Sequence, residues 1–272
     1  MNDRSVKILD ILAKDNSVKV TLLADLLNVS QVTLRKDLDY LERLGIVCRS
    51  HGYASLDGAD DTGKRMAFYY SVKRKIAKTA AQIVDINETI MIESGSCCAL
   101  FAEEIALANK NVTIVTNSAF IADYIGHYPN IKIILLGGFF QPDSHVLVGS
   151  ITRNCAENLF VDKFFLGADG FIQGQGFTGR DYLRVETALD LAKCAKKVFI
   201  LTESAKFLRR GAFGLVHLDK VTGVITDDCI SKDAENSLLK FNIQLTKVPS
   251  GDDKYKWHKF PGLPPVMYKE KG

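Results

Sequence analysis

The sequence predicts an α/β protein in which a small winged helix-turn-helix domain precedes a larger, mainly parallel α/β domain. Two observations predict it: three short helical patterns and a β-prone hairpin come first, and β-prone runs then alternate with helical patterns. The chain has 272 residues and is 47% hydrophobic, which suffices for one large core and a smaller one. We expect domains at residues 1–57 and 73–248, a linker at 58–72 and a flexible tail at 249–272.

The N-terminal elements follow from hydrophobic periodicity and from turn residues. The three helical patterns and the hairpin, which is of the wing type, occupy residues 6–12, 21–27, 30–44 and 46–56. Thr21 and Ser30 are placed to cap the second and third helices. The third helix carries leucines at 34, 38, 41 and 44, so one of its faces is expected to be buried.

The outward face of the third helix has side chains suited to contacting DNA. Two short helices, a tight turn and a longer helix place the N-terminal residues of that helix in a major groove. There an amide pairs with adenine, and a cation reaches guanine or phosphate. A cation and an imidazole in the wing are placed to touch flanking phosphates or the minor groove. The predicted DNA contacts are Ser30, Gln31, Thr33, Arg35, Lys36, Arg49 and His51.

Charge alone leaves a second interpretation of this domain open. Residues 1–55 carry eight cationic and seven acidic side chains, and the whole chain has a formal net charge of only +3. A helical domain with this balance is also compatible with binding another protein.

The residues around the third helix resemble a known family. The run from Val29 to Glu42, followed by Leu44-Gly45 and Arg49-Ser50-His51-Gly52, is similar to the winged helix of DeoR-type bacterial regulators. The family pattern there is a serine, T-I-R-R-D-L, L-E, G and R-x-H-G-G, and this chain has Tyr53 where the last glycine is usual. The resemblance implies binding to a double-stranded DNA operator.

Beyond the linker, segments of two kinds alternate. β-prone runs and the clearest helical patterns lie at 89–93, 112–116, 131–136, 163–168, 197–201 and 221–226, and at 99–108 and 185–194. This alternation predicts a largely parallel sheet with helices on both faces. An acid-free stretch at 64–84, which contains Lys73 and Arg74, is interpreted as a solvated helix face, with phosphate contact as the alternative.

Three loops that follow β-prone runs have the composition of anion-binding loops. They are Ser94-Gly95-Ser96-Cys97-Cys98, Asn117-Ser118 and Gly137-Gly138. Free backbone N–H groups and the positive end of a helix dipole favour an anion at such loops. Because loops of this kind meet at the C-terminal edge of a parallel sheet, we expect them to form one ligand pocket.

A glycine-rich segment, Gly174–Gly179, matches G-x-G-x-x-G but is not interpreted as a dinucleotide site. It lies late in the domain, away from the first β-α unit that such a site requires. We interpret Gly176-Phe177-Thr178 as part of a flexible lid that leads into the helix carrying Glu186. Lys206 follows an apolar strand and can supply a charge to a phosphate, with a surface lysine as an equal alternative.

Motifs between Lys73 and Asp227 appear in the order found in the DeoR-type sensor domain. They include Glu93-Ser94-Gly95-Ser96, Leu136-Gly137-Gly138 and Glu203-Ser204-Ala205-Lys206-Phe207. That domain is similar in fold to ribose-phosphate isomerases and glucosamine-phosphate deaminases, and the resemblance implies that it binds a phosphorylated sugar or a similar metabolite. The expected effector neighbours are Ser94, Gly95, Ser96, Cys97, Asn117, Ser118, Gly137, Gly138, Asp169, Gly176, Phe177, Thr178, Glu186 and Lys206.

We therefore expect a transcriptional regulator, most simply a repressor of a carbohydrate or related operon. A homodimer or homotetramer is expected, because an effector acts by changing how two DNA-binding heads are arranged. The alternative is a sugar-phosphate isomerase-like or deaminase-like enzyme with Asp169 or Glu186 as the base and Lys206 as its electrostatic partner.

The remaining expectations come from what the composition lacks. Six scattered cysteines predict free thiols and no metal site, and no cofactor is expected. No apolar run approaches the roughly 18 residues that a membrane span requires. We expect a cytoplasmic protein that makes no membrane contact.

Overall fold

The computed structural model describes residues 3–56 and 62–250. The elements of its first part, which we call the head, are α1 (Asp3–Asp15), β1 (Ser17–Lys19), α2 (Val20–Leu27), α3 (Gln31–Arg43), β2 (Cys48–Ser50) and β3 (Tyr53–Ser55). The strands form an antiparallel sheet in the order β1-β3-β2. The predicted helices and wing hairpin are confirmed, and β1 is an additional strand that pairs with the wing.

The start of α2 differs from the prediction. Its N-cap is Lys19, which makes no side-chain hydrogen bond to the helix, so the predicted capping role of Thr21 is wrong. The reason is the strand that precedes the helix: the Val20 N–H donates to the Gly52 carbonyl of the wing at 2.9 Å. A wing carbonyl thus accepts from one of the N–H groups that a helix start leaves without an intrahelical partner.

The start of α3 agrees with the prediction. Ser30 is its N-cap, and Ser30 Oγ accepts a hydrogen bond from the Thr33 N–H at 3.1 Å. Leu34, Leu38 and Leu41 are fully buried. The helix therefore packs along its leucine stripe and leaves the opposite face of its first turns outward.

The connection between the head and the larger part is helical where it is described. It consists of α4 (Thr62–Ala67) and α5 (Tyr70–Ala81), while residues 57–61 of the predicted boundary and linker lie outside the described residues. Met66, Ala67 and Val72 are fully buried. The second half of the predicted linker is therefore packed against the protein through its apolar side chains, and this part does not run through solvent.

The larger part is built on a parallel seven-stranded sheet. Its strands are β4 (Thr89–Ile92), β5 (Thr113–Thr116), β6 (Lys132–Leu135), β9 (Val161–Leu166), β12 (Ala195–Leu201), β14 (Gly223–Asp227) and β15 (Gln244–Val248). Their order is β15-β14-β12-β9-β4-β5-β6, and every neighbouring pair is parallel. The chain winds from β4 outward to β6 and then crosses to the other side of β4, so the topological switch point lies between β4 and β9.

Helices cover both faces of the sheet and form two separate cores. They are α6 (Ser96–Leu107), α7 (Ala119–Ile125), α8 (Ser150–Ala156), α9 (Tyr182–Ala192) and α10 (Lys232–Lys240). Ile90 and Ile92 of β4 belong to a core with α5, α6 and α7, whereas Met91 belongs to a core with α9 and α10. The first core continues into the head, because Leu9 and Leu12 of α1 are part of it.

Two smaller sheets complete the fold. They are a hairpin of β7 (Phe139–Gln141) with β8 (Val146–Val148), and an antiparallel sheet of β10 (Gly170–Ile172), β11 (Gly176–Gly179) and β13 (Phe213–His217). All of β11 is buried, so the flexible lid predicted for this segment is wrong. A Cβ atom at Gly176 would lie 2.3 Å from the Val216 carbonyl oxygen, which shows that this glycine allows close strand packing.

The last described residues are held in place. Ser250 is buried, and its N–H donates to Asp228 Oδ1 at 3.0 Å. Residues 251–272 of the predicted tail lie outside the described residues. Among the helices that are described, none combines the length and the apolar character needed to cross a membrane.

Candidate functional site

The N-terminal end of α3 presents polar side chains to solvent. Gln31, Arg35 and Lys36 are exposed, and the half-buried Thr33 has its Oγ1 2.9 Å from Ser30 Oγ. Val32, which is 66% exposed, lies in the same turn and was not predicted as a contact. An apolar side chain there is suited to a thymine methyl group, and its position opposite the leucine stripe was the signal for it.

A salt bridge holds α3 against α1. Asp37 is only 6% exposed, and it accepts hydrogen bonds from the Arg4 guanidinium, with Nη2 3.1 Å from Oδ1. Such a bidentate pair fixes orientation as well as distance. The direction in which the first turns of α3 point therefore depends on α1.

The wing cation is engaged within the head. Arg49 Nε donates to Glu42 Oε2 at 3.0 Å, and Arg49 Nη2 lies 2.6 Å from Asp39 Oδ1. The hydrogen bond from Arg49 lowers the pKa of the Glu42 carboxyl. A DNA phosphate would have to compete with these two carboxylates for Arg49, whereas His51 is exposed at the wing tip with its Nδ1 2.7 Å from Ser50 Oγ.

A cavity of about 550 Å³ lies at the switch point between β4 and β9. Residues that follow β4, β9 and β12 line it, which is the edge where open parallel sheets bind ligands. Cationic side chains outnumber carboxylates in its lining: Lys14, Arg65, Lys73, Arg180, Arg184, Lys206 and Arg209 against Glu93, Asp169, Asp181 and Glu203. We call this cavity the switch-point pocket, and its charge suits an anion that also carries hydroxyl groups.

The loop after β4 forms one wall of the pocket. Gly95 is the N-cap of α6, so this wall contains the first turn of the helix, whose N–H groups have no partner within the helix. Ser94 Oγ donates to Glu93 Oε1 at 2.6 Å. Burial raises the pKa of the Glu93 carboxyl to about 7, although the hydrogen bond from Ser94 acts in the opposite direction.

A buried ionic cluster lies in the same pocket. Lys73 Nζ and Lys206 Nζ each lie 3.9 Å from Glu203 Oε1, and Cys97 Sγ lies 3.8 Å from Glu203 Oε2. Burial lowers the pKa of Lys73 although Glu203 opposes the shift. Burial alone would raise the pKa of Glu203, but Lys73 and Lys206, together with a backbone hydrogen bond and Arg209, hold that pKa below its usual value.

Lys73 is thus not on a solvated helix face. It is buried on α5 and donates a hydrogen bond to the Arg65 carbonyl, whereas Arg74 pairs with Glu103 and Glu104 of α6. The signal in the sequence was its spacing: Lys73 lies three and four residues before the buried Ile76 and Ala77 on the apolar face of α5.

The pocket collects some of the predicted effector neighbours and not others. Those that line it are Ser94, Gly95, Ser96, Cys97, Asp169 and Lys206. Those that do not are Asn117, Ser118, Gly137, Gly138, Gly176, Phe177, Thr178 and Glu186. The loops after β5 and β6 lie at the same edge of the sheet, but the β7–β8 hairpin packs against the first of them. Asn117 Nδ2 donates a hydrogen bond to the Leu147 carbonyl of this hairpin at 2.9 Å. Their contact with an effector stays a prediction.

The described residues contain one group of three side chains close enough to share a metal ion, namely Asp227, Asp228 and Cys229. Asp227 already accepts hydrogen bonds from the Ser204 N–H at 2.7 Å and from Ser204 Oγ at 2.5 Å. The carboxylate of Asp227 therefore already has partners in the loop that follows β12, and these hydrogen bonds account for its position without a metal ion. All six cysteines lie in the described ranges and have free thiols.

Comparison with known proteins gives matches over both parts of the chain. A family model described as the DeoR C terminal sensor domain matches residues 69–228, and a model described as a DeoR-like helix-turn-helix domain matches residues 4–58. The HTH-type transcriptional regulator GolR of Listeria innocua serovar 6a is 30% identical, over 85% of this chain and 92% of its own.

Two further relatives cover nearly as much of the chain. The L-fucose operon activator of Escherichia coli K12 is 27% identical over 83% of this chain and 94% of its own. The lactose phosphotransferase system repressor of Streptococcus mutans serotype c is 26% identical over 88% and 96%. Among solved structures, ribose 5 phosphate isomerase A of Neisseria gonorrhoeae matches with a TM-score of 0.38 and 20% identity over 50% of this chain and 52% of that one.

Proposed function

The chain belongs to the DeoR family of DNA-binding transcriptional regulators, and we propose that a phosphorylated sugar in the switch-point pocket controls how it binds its operator. The observation that carries this proposal is the cation-rich pocket at the sheet edge, lined by the N-terminal turn of α6. Regulators of sugar operons among its relatives support the effector class.

The pocket offers separate groups for the two ends of such an effector. Lys206 and the α6 N-terminus suit the phosphate, because both a point charge and free N–H groups favour an anion. Glu93 and Asp169 are acceptors for sugar hydroxyls. A volume of about 550 Å³ lies within the usual range for small-ligand pockets.

The head supplies the DNA contacts in this proposal. Gln31, Arg35 and Lys36 enter the major groove, with Val32 against a thymine methyl group, while His51 of the wing reaches the flanking backbone. Repression follows most simply, because occupying promoter DNA needs no further contact with the transcription machinery. Relatives named both as a repressor and as an activator make the sign of control a matter for experiment.

We also propose a homo-oligomer assembled through the edge strand β6. Ile134 and Leu135 of β6, Phe139 and Phe140 of β7 and Ile151 of α8 are all more than 40% exposed. Edge strands with exposed apolar side chains are usually covered by another element. In a symmetric dimer the β6 edges of two copies cover each other. Light scattering on the wild type and on Phe139→Glu tests this proposal. The variant should form a particle of lower molar mass, and an equal molar mass for both proteins would remove β7 from the interface.

The enzyme alternative retains little support in the geometry. Glu186, one of its two candidate bases, does not line the pocket, and Asp169 Oδ2 accepts a hydrogen bond from the Arg180 N–H at 3.1 Å. The relatives are transcriptional regulators, and so is this chain. Its sensor domain binds the ligand to change DNA affinity in our proposal, with no turnover.

Two measurements test the proposal together. Thermal denaturation with ribose 5-phosphate, fructose 6-phosphate and glucose 6-phosphate should show a rise in melting temperature with at least one of them, because a ligand of the native state stabilises it by mass action. The same ligand should change the affinity for DNA from upstream of the chain's own gene. A melting temperature that none of the three sugars moves, with DNA binding that none changes, would refute the effector assignment.

A further inference from the structure

The switch-point pocket is not enclosed by the sensor domain alone. Three residues at the end of α1 and in the turn after it, Ala13, Lys14 and Asn16, line it together with the loops of the sheet. These residues belong to the DNA-binding head. The sequence places them some 80 residues before the first ligand loop, so no pattern in the chain brings them together.

Lys14 is a cation that is available to bind an anion in the pocket. It is exposed, it lies in the last turn of α1, and none of the described residues forms an ion pair with its ammonium group. Other cations, among them Arg65 and Lys206, line the same cavity. Like charges around one cavity repel each other, and an anion bound among them relieves that repulsion.

We propose that the head forms part of the effector site: Lys14, with Asn16 beside it, contacts the anionic group of the ligand directly. This inference rests on the function proposed above and adds a residue of the head to its ligand contacts. The effector then bridges two parts of the chain. Its affinity depends on the head being docked, and by linkage the docking of the head depends on the effector.

The end of α1 is connected to the DNA-reading surface by short, well-defined contacts. Asn16 adopts φ +57 and accepts a hydrogen bond from the Leu56 N–H at 3.1 Å. The next residues form β1, which pairs with β3 of the wing from Ser17 opposite Ser55. At its other end α1 holds α3 through Arg4 and Asp37. A ligand that fixes Lys14 therefore fixes the orientation of both the wing and α3.

The far end of α3 is docked as well, so the head has little freedom once α1 is held. Tyr40 and Leu44 line one groove with Phe120 and Tyr124 of α7. A Cβ atom at Gly45 would lie 3.7 Å from the Phe120 ring. Within the described residues the head thus meets the sensor domain through both α1 and α3, and of these two contacts the one at α1 faces the ligand pocket.

Titration calorimetry on the full chain tests the proposal. With whichever of ribose 5-phosphate, fructose 6-phosphate and glucose 6-phosphate binds the wild type most tightly, Lys14→Ala should weaken binding about 5- to 10-fold, as expected for one charged contact to phosphate. Lys14→Glu should weaken it by more than 10-fold. Lys7→Ala is the matched control: it removes an exposed lysine from the same helix, and Lys7 does not line the pocket.

Hydrogen exchange supplies a second measurement that does not depend on a variant folding well. In the wild type the ligand should slow amide exchange at residues 12–17 as well as at 93–97. Equal affinity of Lys14→Ala and the wild type, or protection confined to 93–97, overturns the head contact and leaves the proposed function intact. If none of the three sugars binds the wild type, the proposed function fails and the head contact fails with it.

Discussion

The N-terminal end of α3, where we propose the DNA contacts, and the switch-point pocket differ in how their charged side chains are placed. On α3 the side chains of Gln31, Arg35 and Lys36 stand in solvent. In the pocket Lys73 and Glu203 are buried and compensate each other. Substitutions on α3 should therefore change binding with little effect on stability, whereas substitutions of these two buried residues should change stability before they change ligand affinity.

The largest effect should come from breaking the buried pair. Glu203→Ala leaves Lys73 buried without its carboxylate, and we expect a loss of about 3 to 5 kcal/mol in the free energy of unfolding. Urea denaturation measures it. The double variant Lys73→Met with Glu203→Gln should recover part of the loss. A Glu203→Ala variant within 1 kcal/mol of the wild type would show that Lys73 does not depend on this carboxylate.

The next largest effect should depend on pH. Burial raises the pKa of Glu93 from 4.5 to about 7, so the ionised carboxylate costs nothing below about pH 4.5, costs more as the pH rises, and reaches its full cost above pH 7. The shift corresponds to about 3 kcal/mol at most. Glu93→Gln should therefore be more stable than the wild type at pH 8 and equal to it near pH 4.5; a difference independent of pH would show that Glu93 is not the titrating group.

A change on α3 should affect DNA binding alone. Arg35→Ala should weaken specific binding to an operator by about 1 to 3 kcal/mol if Arg35 contacts a base, with the melting temperature unchanged. A binding titration at fixed salt measures it. Lys240→Ala, which removes an exposed cation from α10, is the control, and unchanged operator affinity in Arg35→Ala would remove this residue from the contact set.

The smallest effect concerns a residue that belongs to both categories. Ser30 is exposed beside the proposed DNA contacts and also caps α3, so Ser30→Ala should lower the free energy of unfolding by about 1 kcal/mol. Thr21→Ala is the matched control, because Thr21 is exposed and is not the N-cap of α2. Equal stability of the two variants in urea would show that the hydrogen bond from the Thr33 N–H contributes nothing.

The elements of the fold could be predicted where one segment carries its own signal. The leucine stripe and the capping serine of α3 are local, and so is the alternation that gives the parallel sheet. The strand β1 was missed because a three-residue strand has no periodicity of its own and exists only through pairing with β3. The lid was misassigned because glycines that permit flexibility also permit the close strand contact of Gly176.

The pocket was only partly predictable, because its members come from segments that are far apart in the chain. Ser94 to Cys97 were found, since a strand, a small-residue loop and a helix start are visible in sequence. Lys73 lies in a run of cations that is equally typical of a solvated face, and Lys14 has no local signal that distinguishes it from the other lysine of α1. Whether a loop at the sheet edge faces the cavity or lies under a hairpin, as Asn117 does, is decided by topology that no single segment records.

The hydrophobic core shared by α1, α5 and α6 has a consequence for engineering. Grafting the first 56 residues of another regulator onto this sensor domain would replace Leu9 and Leu12, which share this core with Val72 and Ile76. Such a chimera would need compensating changes along α4 and α5 to keep that core well packed. Because the proposed operator contacts lie on the exposed face at the start of α3, changing those residues leaves this core intact, whereas exchanging whole domains does not.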